Sequence, residues 1–239
     1  MTYEKSPISQ RFWTMLAGLA LIALAGCGES GNDATGAVDT NAAPVETAGN
    51  AIIPPADAAE APADIGPRGE ILGDIVLGAA DAPVEVIEYG SLTCSGCARF
   101  HEVVLPELKK KYIETGKVRF VFRHFVRDPA DLAASKITRC QGVERYYPLL
   151  DLFFARQHNW LNNDYEANLA NLSRRAGLGK AKLDACLADQ ELQDMIIEQR
   201  QAGVRDYEVN STPTIIVNGK PVDNALNFDA IDRAIARQL

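Results

Sequence analysis

Glu88-Tyr89-Gly90-Ser91-Leu92-Thr93-Cys94-Ser95-Gly96-Cys97 decides how this chain is read. The residues just before it, Val84 to Ile87, read as a buried strand, and a helical pattern follows Cys97. A Cys-x-x-Cys at a strand-to-helix junction is a redox pair on a helix N-terminus. The first cysteine meets the unpaired N–H groups and the positive end of the helix dipole, and both favour the thiolate. The thiolate is the attacking species in disulfide exchange. Two intervening residues let the second sulfur come within bonding distance. Half of a zinc site is the alternative, with an inert pair as a third reading. Structural zinc takes four ligands, and no second Cys-x-x-Cys or Cys/His pair at suitable spacing is present; His101 alone leaves the set incomplete.

A second stretch lies far downstream, Val209-Asn210-Ser211-Thr212-Pro213-Thr214-Ile215-Ile216-Val217-Asn218-Gly219. Thr-Pro precedes a β-branched strand, and Asn-Gly makes a hairpin turn. A proline at a strand start is allowed where its missing N–H is not needed.

Taken with Leu77-Gly78-Ala79-Ala80-Asp81-Ala82-Pro83-Val84, these two stretches resemble the thioredoxin superfamily, specifically its DsbA-type branch with a helical insertion. The resemblance runs from about Gly73 to Leu239, and the order and spacing of the three blocks carry it. It implies an α/β thioredoxin fold, a central mixed sheet flanked by helices, with an inserted helical domain at about 128–205. It implies a cis Pro213 that faces the Cys-x-x-Cys, with Thr212 and Pro213 as the wall against which an incoming peptide lies. It also implies that Glu88, six residues before Cys94, sits beneath the disulfide and moves protons to and from the buried thiol. A strand-end glutamate facing water, or paired with a base such as Arg123, is the alternative. By position Cys94 is the exposed nucleophile and Cys97, one turn further in, its buried partner. Ser95 and Gly96 tune the potential; they stand where the best-known oxidant of the family has Pro-His, so a strongly oxidising potential is not carried over.

The N-terminus reads as an export signal. Residues 12–25 are apolar and uncharged, a run of 14 that is too short for a permanent span and suits the core of a signal peptide. Leu24-Ala25-Gly26-Cys27 resembles a bacterial lipobox, which makes 1–26 a lipoprotein signal peptide and Cys27 the lipidated residue. An ordinary signal peptide with an incidental cysteine, or an uncleaved anchor, is the alternative. Residues 27–70 then form a tether rich in Ala, Pro and acids, whose composition cannot bury enough apolar surface to offset its ordering entropy. Its r.m.s. reach is about 35–40 Å. It holds no dimerisation domain, so a monomer is expected.

Charge separates the same parts. The chain carries a formal −8, of which residues 28–70 supply eight acids against one base. Residues 71–239 are nearly neutral, with 23 acids and 21 bases. No basic stripe for nucleic acid is present, and the 71–239 domain has enough residues for one core with an insertion.

Of the five cysteines, Cys27 goes to the lipid, which leaves an even number for an oxidising compartment. Cys140 and Cys186 each lie in a helical pattern and read as a structural disulfide, worth about 3–4 kcal/mol in the chain-entropy model. Two buried free thiols are the alternative. Helices are expected at about 96–114 with a kink at Pro106, then at 130–143, 148–157, 165–176, 180–188, 192–207 and 228–238, and strands at 75–77, 84–89, 118–125 and 214–217, with a short one near 222. Asp128-Pro129 supplies a cap and a first-turn proline. His101, His124 and His158 show no obvious catalytic geometry, with His101 facing solvent. Tyr146, Tyr147 and Trp160 read as packing, and Lys109-Lys110-Lys111 as a solvated helix face.

The leading functional expectation is a periplasmic, lipid-anchored thiol–disulfide oxidoreductase that oxidises cysteine pairs in exported proteins, with no metal or organic cofactor. Family analogy adds a DsbB-like membrane partner that reoxidises it. A dedicated reductase or an isomerase is the second reading. A copper-binding or metal-delivery protein is the third, though the chain lacks a Met-rich patch.

Overall fold

The structure is a computed structural model and describes residues 68–239. Cys27, the expected signal peptide and most of the expected tether lie outside the described residues. Helix α1, Arg68–Leu72, begins ahead of the boundary expected at residue 71, and Ile71 is fully buried. Its carbonyl accepts from Arg139 Nε at 2.9 Å.

Five strands form one mixed sheet: β1 (Val76–Leu77), β2 (Val84–Gly90), β3 (Val118–His124), β4 (Thr214–Val217) and β5 (Lys220–Val222), in the order β1-β3-β2-β4-β5. The β2–β3 pair is parallel and the other three are antiparallel. β2 is therefore central, as its apolar run requires. Glu88 lies opposite Phe122 on β3 and Ile215 on β4. Alternation along the strands sorts the side chains by face. Val84, Val86, Phe120, Phe122, Ile215 and Val217 pack in the larger core, and Ile87, Tyr89, Val121 and Ile216 in a smaller one. Glu88 shares the face of Phe122, whereas Arg123 points the other way, to Asp74 and Tyr89 OH. Arg123 is thus no partner of Glu88.

After β2 the chain forms a long helix in four segments: α2 (Ser95–Arg99), a π-helical turn (Phe100–Val104), α3 (Leu105–Leu108) and a second π-helical turn (Lys109–Ile113). Pro106 has no N–H to donate back along the helix, and the backbone adapts with i→i−5 bonds such as Leu105 N to Phe100 O. The expected kink is therefore spread over wide turns.

The insertion between β3 and β4 is helical: α4 (Pro129–Arg139), α5 (Val143–Ala155), α6 (Gln157–Trp160), α7 (Tyr165–Arg175), α8 (Lys180–Ala188) and α9 (Gln190–Tyr207). Asp128 caps α4 by accepting from Asp131 N at 2.9 Å, with Pro129 in the first turn. α5 starts earlier than the 148 expected: Gly142, at φ 91°, turns the chain into it, and Pro148 sits exposed in its second turn. Cys140 is the residue that ends α4, and its disulfide to Cys186 on α8 spans 5.8 Å between Cα atoms. Tyr146 and Tyr147 are buried and bond to the sheet; Tyr147 OH accepts from Phe122 N at 3.2 Å. Trp160 is also buried, donating to Phe153 O at 2.8 Å. Helix α10 (Phe228–Ala236) closes the chain with Ile231 and Ile235 in the core, each contributing about 1.5–3 kcal/mol by burial. Among the described residues no helix is long and apolar enough to cross a membrane.

Candidate active site

Cys94 is the N-cap of α2, with extended backbone (φ −91°, ψ 120°). The strand-to-helix junction thus delivers its sulfur to the first turn, where backbone N–H groups lack partners. Cys94 is only 8% exposed, so the expectation of an exposed nucleophile is corrected: the Thr212-Pro213 loop covers it. The Thr212–Pro213 peptide is cis, and Cys94 Sγ lies 3.3 Å from Thr212 O, to which the thiol donates. A Cβ on Gly96 would stand 3.2 Å from Pro213 Cδ, so a small residue lets this loop approach.

The two sulfurs differ sharply. Both are free thiols here. The Cys94 thiol is lowered to about 5, first by the hydrogen bond from Cys97 and further by the backbone N–H groups of Cys97 and Gly96; burial opposes this. The Cys97 thiol is pushed far up, by burial first, then by its hydrogen bond to Cys94 and the charge of Glu88. Cys97 is fully buried and accepts weakly from Ser91 N at 3.5 Å.

Glu88 is fully buried. Its Oε2 lies 3.0 Å from His101 Nε2, and its Oε1 has no hydrogen-bond partner among the described residues. Desolvation raises this carboxyl, and the His101 imidazole opposes the rise. His101 is buried too, which corrects the reading that it faces solvent. Its Nδ1 lies 3.2 Å from Asp151 Oδ1, and Lys109 Nζ donates to Asp151 Oδ2 at 2.9 Å. Burial alone would lower the imidazole, but Glu88 and Asp151 outweigh it and raise it. Lys109 is therefore tied into this network; the solvated lysine face applies to its neighbours at most. One signal for His101 was available: it lies four residues past Cys97, on the same side of the helix. Asp151 gave none, because it comes from α5.

The loop between β2 and Cys94 is anchored on the insertion. Asp131 on α4 is fully buried and accepts from Leu92 N at 2.8 Å and Arg127 N at 3.1 Å. Desolvation raises its carboxyl to about 6, against hydrogen bonds from Ser91, Leu92 and Arg127. Thr93 Oγ1 donates to Asp128 Oδ2 at 2.8 Å. Gln157 Nε2 donates to Leu92 O at 2.8 Å and Cys94 O at 3.1 Å. From the sequence Asp128 was read only as a helix cap, and Asp131 and Gln157 were not read at all. A cleft of about 960 Å³ opens beside the pair, lined by Ser95, Gly96, His101, Asp151, Phe154 and Leu226 among others. Among the described residues no group of three or more His, Cys, Asp or Glu is placed to hold a metal ion.

Comparison with known proteins gives this geometry its relatives. The family described as Thioredoxin matches residues 71–237. A putative protein-disulfide oxidoreductase of Rickettsia bellii is 34% identical over 167 residues, 68% of this chain and 64% of that one. The chain thus spans just under two thirds of that relative's length. Disulfide bond formation protein D of Bacillus subtilis is 27% identical over 71% of this chain and 78% of its own. Among solved structures, alpha-DsbA1 of Wolbachia pipientis superposes with a TM-score of 0.65 at 26% identity, covering 70% of this chain and 90% of that one. The mixed sheet with its helical insertion agrees with these matches, and the chain belongs to the thioredoxin family, among its DsbA-like members.

Proposed function

We propose that the chain is a thiol–disulfide oxidoreductase that oxidises cysteine pairs in exported proteins, working from the periplasm as a lipid-anchored monomer. The observation that carries the reading is the placement of the two sulfurs: Cys94 caps the helix start beside the Thr212-Pro213 loop, and Cys97 is fully buried one turn further in. Such a pair exchanges through one sulfur and resolves through the other.

In the oxidising direction a substrate thiolate attacks Cys94 Sγ of the Cys94–Cys97 disulfide. The mixed disulfide forms at Cys94, Cys97 leaves, and a second substrate thiolate displaces Cys94. The products are an oxidised substrate and a dithiol enzyme, which a DsbB-like membrane partner reoxidises. Thr212 and Pro213 form the wall beside Cys94 on which the substrate peptide lies extended. Glu88 is the acid that protonates Cys97 as it leaves. The easily formed Cys94 thiolate favours the reduced enzyme, which supports the oxidant over the reductase direction. Equilibration with glutathione tests this: a potential near −120 mV is expected of an oxidant, and one near −270 mV assigns a reductase. Absence of any thiol exchange by purified protein would remove the enzyme reading.

A further inference from the structure

Opening the Cys94–Cys97 bond sends an electron pair to a sulfur that has no contact with bulk water. Cys97 is fully buried, and so is Glu88, the acid assigned to it. A proton consumed there has to be replaced from outside in every cycle. A chain of titratable atoms reaches from there to the surface. Glu88 Oε2 is 3.0 Å from His101 Nε2, and His101 Nδ1 is 3.2 Å from Asp151 Oδ1. The Asp151 side chain is 42% exposed and lines the cleft beside the cysteine pair.

We infer that His101 and Asp151 are the proton conduit between Glu88 and the cleft. This rests on the thiol-exchange reading and on Glu88 as the acid of Cys97. A substrate thiolate bonds to Cys94 Sγ, the Cys94–Cys97 bond breaks, and Cys97 leaves with the electron pair. The Glu88 carboxyl gives its proton to Cys97 Sγ. His101 gives its Nε2 proton to the Glu88 carboxylate, and its Nδ1 takes one from water by way of Asp151. One proton enters for each Cys97 thiol made, and formation of the disulfide reverses the path. Only the substrate thiols are oxidised and only the enzyme disulfide is reduced.

The surroundings of His101 fit a conduit better than a plain packing role. The charged groups facing it are Glu88 from β2, Asp151 from α5 and, behind Asp151, Lys109 of its own helix. Phe100, Phe122 and Phe154 close the remainder, with the Phe154 ring centroid 4.2 Å away. The ring therefore has both nitrogens committed to acids and its carbon edges committed to aromatics. The raised pKa values of Glu88 and His101 mean that the pair holds a proton more firmly than either group would in water.

The test uses purified protein in both redox states. Reduction of the oxidised form by dithiothreitol is timed by stopped flow across pH. His101→Ala should slow it by about 10-fold or more, and added imidazole, which can enter through the cleft, should restore much of the loss. Asp151→Asn, which keeps the size of this part-exposed side chain, should slow it several-fold and shift its pH profile. Separately, ¹⁵N NMR of the His101 ring should give different titration midpoints in the oxidised and reduced wild type. Wild-type rates and pH profiles in both variants would overturn the conduit. So would a His101 titration indifferent to the redox state, and that measurement stands even if the protein fails to turn over, which would sink the enzyme reading instead.

Discussion

Cys94 and Cys97 are three residues apart yet experience opposite environments, and their substitutions should part accordingly. Cys97→Ser should accumulate substrates as stable mixed disulfides on Cys94, because the resolving thiol is gone; Cys94→Ser should trap almost none. Equal yields on non-reducing gels would refute the assignment. The thiolate itself is visible at 240 nm. Its absorbance in the reduced protein should titrate with a midpoint near 5. Since this pKa lies below that of an unfolded cysteine, the thiolate stabilises the reduced fold fully above the unfolded value of about 8.5, and the gain is lost as pH falls through the folded one. The oxidised protein lacks this dependence, so the stability gap between the two redox forms should move toward the oxidised form on acidification. Asp131 has the opposite sign. Its carboxyl is raised to about 6, so its contribution is present at low pH and disappears between about pH 4 and 6, on the order of 3 kcal/mol by linkage. Denaturant midpoints of the wild type should show that loss, and Asp131→Asn should not. At this scale the sequence was legible where the chemistry is local. Cys94 and Cys97 follow from a spacing, and the place of Thr212-Pro213 beside them from the family resemblance. His101 was misplaced because its burial depends on α5 docking over it, and Asp151 and Gln157 carry no local mark at all.

Strands and helices were legible in type and mostly in extent, because periodicity and punctuation agree along most of the chain. α8 and β4 fall where expected. The misses have physical causes. Pro106 signals a break, but the helix absorbs it in two π-helical turns and continues to Ile113. Pro148 was taken as a helix start, whereas packing of Tyr146, Tyr147 and Leu149 into the core holds a turn ahead of it in helical form. One helix-on-sheet contact makes a sharp prediction. On α9, a Cβ at Gly203 would lie 2.7 Å from the Tyr89 ring of β2. Gly203→Ala should therefore destabilise the fold by about 1–3 kcal/mol through overpacking, despite alanine's better helix propensity. The 240 nm titration of Cys94 should be unchanged, since Tyr89 is on the sheet face away from Glu88. A neutral or stabilising effect in urea melts would show that α9 can move outward freely.

In the molecule as a whole, the insertion is held both covalently and by the redox loop. Cys140 and Cys186 close a loop of 46 residues. The double Cys140→Ser, Cys186→Ser variant should lose about 3–4 kcal/mol in the chain-entropy model, measured by denaturant unfolding of oxidised protein. It should retain dithiothreitol-reducible Cys94–Cys97 chemistry. Its stability matching the wild type would mean that the helical packing alone fixes α4 against α8. Fold class and the existence of the insertion were legible from the order of the blocks; how the insertion meets the active site was not, because those contacts join residues far apart in the chain. Leu92, Thr93 and Cys94 are each bonded to Asp131, Asp128 or Gln157. For protein engineering this means that the helical part is not a detachable module. A minimised version that splices β3 directly to β4 would keep every strand and both cysteines. It would leave Leu92 N and Leu92 O without the Asp131 carboxylate and the Gln157 amide that bond them, so a minimal design has to keep the insertion together with the strands.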